Sequence, residues 1–414
     1  VTAERFDLAD PTLLFRDDVL EDPTGLYRQL RAEAPVWEVP GTATFVVTRA
    51  DLVNEAVARV KDFSSNLNSV IYRGADGLPR TFEMAAMGDA IHVLATADPP
   101  VHTKHRSLLR PSLAPRCMAM LEGELTAMVD DLLARMLATG GGDLITGLAD
   151  PLPMQVIGRV IGLPPEDSSE LVKLVLDVDQ LLAGFADEAG MARATAAAMQ
   201  QATYLAGHLQ QVIDDPTSVR DDTLLFALGE PVKSGNLTFE EGIGILTQIL
   251  GAGTETTTSL ISTAVRIVAQ DDRLQHHLRR EPDAIPTFLE EVLRLDGPFR
   301  FHYRTTFHDT ELGGVDIPAG ARVLLMWAAA NLDESAYPNP ESLDLDRAIP
   351  RSHLAFGRGI HFCIGAPLAR LEARIALTRL LESTATIRID PEFPPLYHRD
   401  IFLRRLARLG VVFR

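Results

Sequence analysis

The chain has 414 residues, 46% of them hydrophobic, a formal net charge of −18 and two cysteines, Cys117 and Cys363. That apolar content suits a packed core and is too high for a disordered chain. The acid excess argues against broad neutralisation of nucleic-acid phosphates, and two cysteines build no disulfide framework.

The first residues, VTAERFDLADPTLLFRDD, lack a basic stretch followed by an apolar one, so no signal peptide is expected. Residues 24–34 read as a short helix stopped by Pro35. VWEV and ATFVVT then alternate around PGT as a small hairpin, and a second helix follows near ADLVNEAVARV. From Ser64 to Pro100 periodicity weakens and Asn, Gly and Pro accumulate, which predicts a long functional loop.

Beyond Pro100 the apolar positions recur at helical spacing through HTKHRSLLR, MLEGELTAMVDDLLARML, PMQVIGRVIGL, SSELVKLVLDVDQLL and ARATAAAMQQATYLAGHLQQVIDD. A long helix is predicted over 238–270, opened by a capping box from Thr238 to Glu241. No segment has the ~18 uncharged apolar residues of a membrane span; the richest, GIGILTQILGAGTETTTSLISTAVRIV, is broken by Gln248 and Glu255. Helices near 273–280 and 284–295, strands in VDIPAGARVLLMW, the helix APLARLEARIALTRLLES and terminal strands complete the chain. One mainly α domain over 1–414 with a minor β region is expected, in the cytoplasm and without a membrane anchor.

The stretch FGRGIHFCIG carries Cys363 among Gly357, Gly359 and Gly365, with a helix starting directly after it. A lone cysteine is most often a small buried hydrophobe. Here the glycines permit close approach of a flat ligand, and the helix start favours the thiolate. A thiolate in a loop can be a nucleophile, a zinc ligand or an iron ligand. Zinc lacks its CxxC or His/Cys partners, and His361 sits too near in sequence to serve as a base. Haem iron needs one protein sulfur and is the simplest fit.

In GAGTETT, residues 251–257, glycines bracket Ala252 inside a helix, at ~1 kcal/mol each relative to alanine. Helix packing through small residues is the plain interpretation. Beside a haem the same residues would make room for a small ligand, with Glu255 and Thr256 as an acid–alcohol pair. Glu291 and Arg294 form ExxR on one helical face, and HTKHR places His102 and Arg106 four apart.

FGRGIHFCIG, with HTKHR, GAGTETT and ExxR before it in the expected order along the chain, resembles the cytochrome P450 family over nearly the whole chain, in its soluble bacterial branch. The resemblance implies a P450 fold whose long central helix crosses the haem, and haem b (iron protoporphyrin IX) ligated by Cys363 and cradled by Ala252, Gly253, Phe356, Gly357, Gly365 and Ala366. His102, Arg106, Arg304 and His361 would hold its propionates. Thr256 would hydrogen-bond dioxygen while Glu255 relays solvent protons. Arg347 in SLDLDR would complete a buried structural triad with Glu291 and Arg294.

The same resemblance places substrate contacts in the loop of residues 66–97, with Leu67, Phe82, Met84, Met87 and Leu94. Further contacts come from Leu181 to Phe185, Gln248, Ala252, Pro298 to His302, Ile401 and Phe402. Most are apolar, which favours a small apolar substrate oxidised with dioxygen. No flavin or nicotinamide domain fits beside one such fold, so electrons are expected from a ferredoxin and its reductase. These would dock where Arg106, Arg110, Arg116, Arg358 and Arg370 gather. Desaturation or ring coupling at the same haem is the alternative reaction, and a haem protein that senses or carries a small ligand the alternative class.

Overall fold

The computed structural model describes residues 5–87, 91–347 and 352–414, with the side chains of 86 and 87 outside the description. It is 55% helix and 13% strand, the mainly α architecture with a minor β region that the residue pattern implies.

The central element is the helix Phe239–Gln270. Its start is set by the expected capping box: Thr238 Oγ1 accepts from the Glu241 N–H at 3.0 Å, and Glu241 Oε2 accepts from the Thr238 N–H at 2.8 Å. Two orphan amides are thereby satisfied, which offsets part of the nucleation cost. Helices Pro151–Ile161, Glu188–Asp214, Ile285–Asp296 and Ala366–Ser383 pack around it. Leu246, Leu250, Leu260, Ile261 and Val265 supply its buried face in the largest apolar cluster.

A five-stranded sheet lies to one side, in the spatial order Val36–Glu38, Thr44–Val47, Arg322–Leu325, His302–Thr306 and Phe63–Ser64. The first pair is the expected hairpin, with Val36 opposite Val47, and Arg322 pairs parallel to Thr44. This sheet carries Arg304 into the interior on its fourth strand. The terminal strands Ile387–Ile389 and Gly410–Phe413 pair with each other, and Gly410–Phe413 also pairs with Gly141–Asp143.

Two elements depart from the expectation. The segment after Ser64 contains a hairpin, Ser69–Arg73 against Pro79–Glu83, turned by Gly74 to Gly77. It forms because Val70 and Ile71 bury their side chains in a second apolar cluster, support that local periodicity does not register. A helix, Leu224–Lys233, forms despite Pro231, which lacks the amide that would bond back to the Ala227 carbonyl. Thr223 caps it by accepting from the Phe226 N–H at 3.4 Å.

Candidate active site

Cys363 follows the 3-10 turn Gly359–His361 and precedes the helix Ala366–Ser383. Its N–H donates to Phe356 O at 2.8 Å, closing the loop. Gly357 and Gly359 have φ of +66° and +70°. At Gly359 a Cβ would also meet Val57 Cγ1 at 2.9 Å, so only glycine lets the loop lie against the helix Ala50–Ala58. Gly365 leaves the sulfur open: a Cβ there would meet only Sγ, at 3.8 Å.

A thiol at the positive end of a helix is expected to have a lowered pKa. The structure corrects the net sign: burial pushes the Cys363 thiol up, against the Gly365 and Ala366 N–H groups and the Arg106 and Arg370 guanidinium groups, which pull it down. Desolvation outweighs partial charges when no cation touches the sulfur. A coordinated metal ion reverses that balance, because a coordinating thiol is deprotonated outright.

Four basic side chains from three elements converge near the loop. Arg106, on the helix Val101–Leu109, donates to Phe362 O at 2.6 Å. His102, on the same helix, packs against His361 with centroids 4.2 Å apart and the ring planes tilted by 50°, and its buried Nδ1 has no hydrogen-bond partner among the described residues. Arg304 is buried and donates to Tyr303 O at 2.7 Å.

Burial lowers the pKa of each of these groups, to about 10 for Arg304 and about 3 for His361. For His361 the nearby Arg304, His102 and Arg106 add to the shift. For Arg304 and His102 the opposing acid is Asp98, which accepts from Ser64 and Ser65. Two guanidinium groups and two imidazoles gathered near a sulfur are donors that a porphyrin with two propionates would satisfy, so these residues fit haem.

The middle of the central helix is open on one side. Ala252 is exposed although it sits mid-helix, and a Cβ on Gly251 would meet nothing within 4 Å. Gly253 faces the other way, where a Cβ would meet Ile157 at 2.8 Å, so its small size serves the approach of Pro151–Ile161. Thr256 Oγ1 donates back to Ala252 O at 2.7 Å. Glu255 is buried and accepts from Arg405 Nη1 at 3.4 Å, while Arg405 Nη2 binds Asp150. The side chains of Glu255 and Thr256, neighbours in sequence, thus lead to different partners.

The expected structural triad is assembled in full. Arg294 Nε and Nη2 donate to the two oxygens of Glu291 at 2.8 and 2.9 Å, and Arg347 Nε donates to Glu291 Oε1 at 3.1 Å. Glu291 and Arg294 side chains are fully buried.

The expected substrate contacts divide among three walls. Phe402 packs on Phe299, Phe301 and His302 with centroids 4.9 to 5.5 Å apart. Leu67, Phe82, Met84, Leu182 and Phe185 pack on the cluster that holds Ile401. The Ile401 N–H donates to Ala183 O at 3.1 Å, tying that turn to the helix Ser168–Ala183. On the third wall, Gln248 accepts from the Ala95 N–H and donates to Thr96 Oγ1, each at 3.1 Å. Leu94, one residue before, is buried with φ of +41°. The Met87 side chain lies outside the described residues.

On the cysteine side Arg110, Arg116 and Arg358 are exposed. Arg370 is not available there: it is bidentate to Glu290, at 2.6 and 2.9 Å. Two further residues join the site without having been legible in the sequence. Ser65 places its hydroxyl 2.9 Å from His361 Nε2, and Arg405 holds Glu255. Neither carries a local signal, since their partners stand 296 and 150 residues away.

A family model described as Cytochrome P450 matches residues 174–386. Cytochrome P450 144 of Mycobacterium tuberculosis is 36% identical over 403 residues, covering 97% of this chain and 91% of its own length. Steroid C26-monooxygenase of Rhodococcus jostii is 33% identical, covering 89% of this chain and 77% of its own. The crystal structure of CYP109E1 from Bacillus megaterium with testosterone superposes with a TM-score of 0.85 at 28% identity, covering 96% of this chain and 99% of that one. With the cysteine loop and the central helix built as described, the chain belongs to the cytochrome P450 family of haem-iron monooxygenases.

Proposed function

We propose that this chain, as one domain, holds haem b on Cys363 and oxidises a small apolar organic substrate with dioxygen. The observation that carries this is the Cys363 sulfur beside the guanidinium groups of Arg106 and Arg304 and the neutral imidazoles of His102 and His361. When bound, the haem supplies the oxygen-activating chemistry, with its thiolate ligand pushing electron density toward O–O cleavage.

The chain's own residues do the rest. Arg106, Arg304, His102 and His361 donate to the propionates and fix the ring's orientation. Ala252, Phe356, Gly357, Gly365 and Ala366 would leave room for its faces, while Gly253, expected beside them, packs against Ile157 instead. Thr256 turns its hydroxyl from the Ala252 carbonyl to hydrogen-bond dioxygen. Glu255, held by Arg405, hands protons toward the site.

The aromatic wall of Phe299, Phe301 and Phe402 and the apolar side chains facing it suit a rigid apolar molecule. A steroid C26-monooxygenase among the relatives and a testosterone-bound neighbour make a steroid-like skeleton the class to test first. Electrons come from a ferredoxin and its reductase, docking at Arg110, Arg116 and Arg358. Among the described residues no helix is long and apolar enough to cross a membrane, and a cytoplasmic location accompanies this reading.

The test is Cys363→Ser in purified protein. Loss of the haem pigment and of the thiolate-type carbon monoxide band is expected, and a variant that keeps both overturns the assignment. A steroid panel titrated by the iron spin-state shift then tests the substrate class.

A further inference from the structure

Glu290, next to the ExxR glutamate, has no role in the site described so far, yet it is buried and fully engaged. Its Oε1 accepts from Arg370 Nε at 2.6 Å and its Oε2 from Arg370 Nη2 at 2.9 Å. The same Oε2 lies 3.1 Å from His353 Nε2. His353 Nδ1 accepts from the Ala355 N–H at 3.2 Å. Three elements meet at this one carboxylate: the helix Ile285–Asp296, the segment leading into the cysteine loop, and the helix leaving it.

The other end of the network reaches the cysteine. Arg370 lies over the Phe356 ring, 4.4 Å from guanidinium carbon to centroid. The Phe356 carbonyl is the acceptor for the Cys363 N–H, at 2.8 Å. The His353 ring packs on the same phenylalanine, with centroids 5.9 Å apart. A cation stacked on an aromatic face and held by a bidentate carboxylate has little freedom. Groups just beyond a metal's ligand orient that ligand and tune the metal.

We propose that Glu290 is a positioning residue for Cys363: it holds Arg370 on Phe356, and so fixes both the cysteine loop and the nearest stacked positive charge on its side of the site. This rests on the reading of Cys363 as the haem ligand. The charge has a direction of effect. Reduction of the iron adds a negative charge, which a nearby guanidinium favours.

Glutamine at 290 would present an amide donor to the guanidinium in place of one acceptor. Arg370, whose side chain is 26% exposed, would then swing to water. The sign of the consequence is diagnostic. Deleting a negative charge that positions nothing makes reduction easier, whereas releasing Arg370 makes it harder.

The experiment is a dye-equilibrium measurement of the reduction potential of the haem-loaded protein, with the ferrous carbon monoxide spectrum recorded in parallel. Glu290→Gln and Arg370→Gln are both expected to shift the equilibrium toward the oxidised form, by up to about tenfold, ~59 mV for one electron. Glu290→Asp keeps the charge without the reach and should behave like Glu290→Gln. A shift of Glu290→Gln toward the reduced form overturns the proposal, as does an unchanged potential. If Glu290→Gln does not load haem, Arg370→Gln decides alone, and an unchanged potential there overturns it too. Absence of a thiolate-type band in the unmodified protein would instead sink the ligand assignment beneath it.

Discussion

The imidazoles of His102 and His361 pack with centroids 4.2 Å apart, tilted by 50°, and among the described residues neither ring is hydrogen-bonded to a carboxylate. One comes from the helix Val101–Leu109 and the other from the turn before the cysteine. Two basic rings brought together beside Arg106 and Arg304 make a site that is costly to leave without an anion.

Acid should therefore destabilise the haem-free protein. Burial holds His361 and His302 down at about 3, and His302 is fixed as an acceptor by the Trp327 Nε1–H at 2.7 Å. The unfolded chain takes up these protons near pH 6.5, while the folded chain resists until about pH 3. Stability is thus fully present above pH 6.5 and falls as pH drops through this window, approaching about 1.4 kcal/mol per pH unit for each histidine. Urea titrations of apoprotein between pH 7 and 5 read it directly, and haem loading should flatten the part due to His361.

Glu291→Gln should be far more damaging than an average substitution. It leaves Arg294 and Arg347, both buried against this carboxylate, without their counter-charge. A loss of ~3–5 kcal/mol is expected from breaking such a buried set. A shifted urea midpoint with an unchanged slope would measure it.

Thr256→Ala should separate electron use from product. The helix tolerates the change, because the hydroxyl's bond to Ala252 O is a local back-bond. Product formed per NAD(P)H consumed should fall by roughly tenfold or more if the hydroxyl serves proton delivery, while Thr256→Ser retains most of it. Equal coupling in Ala and Ser variants would remove the role.

Gln248→Ala should loosen the wall formed by Val93 to Thr96. Both amide atoms of Gln248 bond to that segment, and each bond contributes about 1 kcal/mol net. Substrate affinity in a spin-state titration should weaken by roughly fivefold to thirtyfold, with the melting temperature of the haem-loaded protein little changed.

What could be read in the linear sequence was whatever is decided within a few residues. The cap of Thr238 and Glu241, the ExxR pair and the glycine loop around Cys363 are local patterns, and each took the form that its spacing implied. The helices of the central and C-terminal regions followed their apolar periodicity for the same reason. The hairpin Ser69–Arg73 with Pro79–Glu83 escaped because its support is the tertiary burial of Val70 and Ile71.

The site's partners and charge balance belonged to the tertiary structure alone. Folding decided that Glu255 meets Arg405, that Ser65 meets His361 and that Arg370 turns inward to Glu290 and away from the surface. It also decided that burial outweighs the helix start at Cys363. Serines and arginines at no fixed spacing carry no pattern. Desolvation depends on everything packed around a group, and contacts across 80 to 296 residues exist only once the core has brought them together.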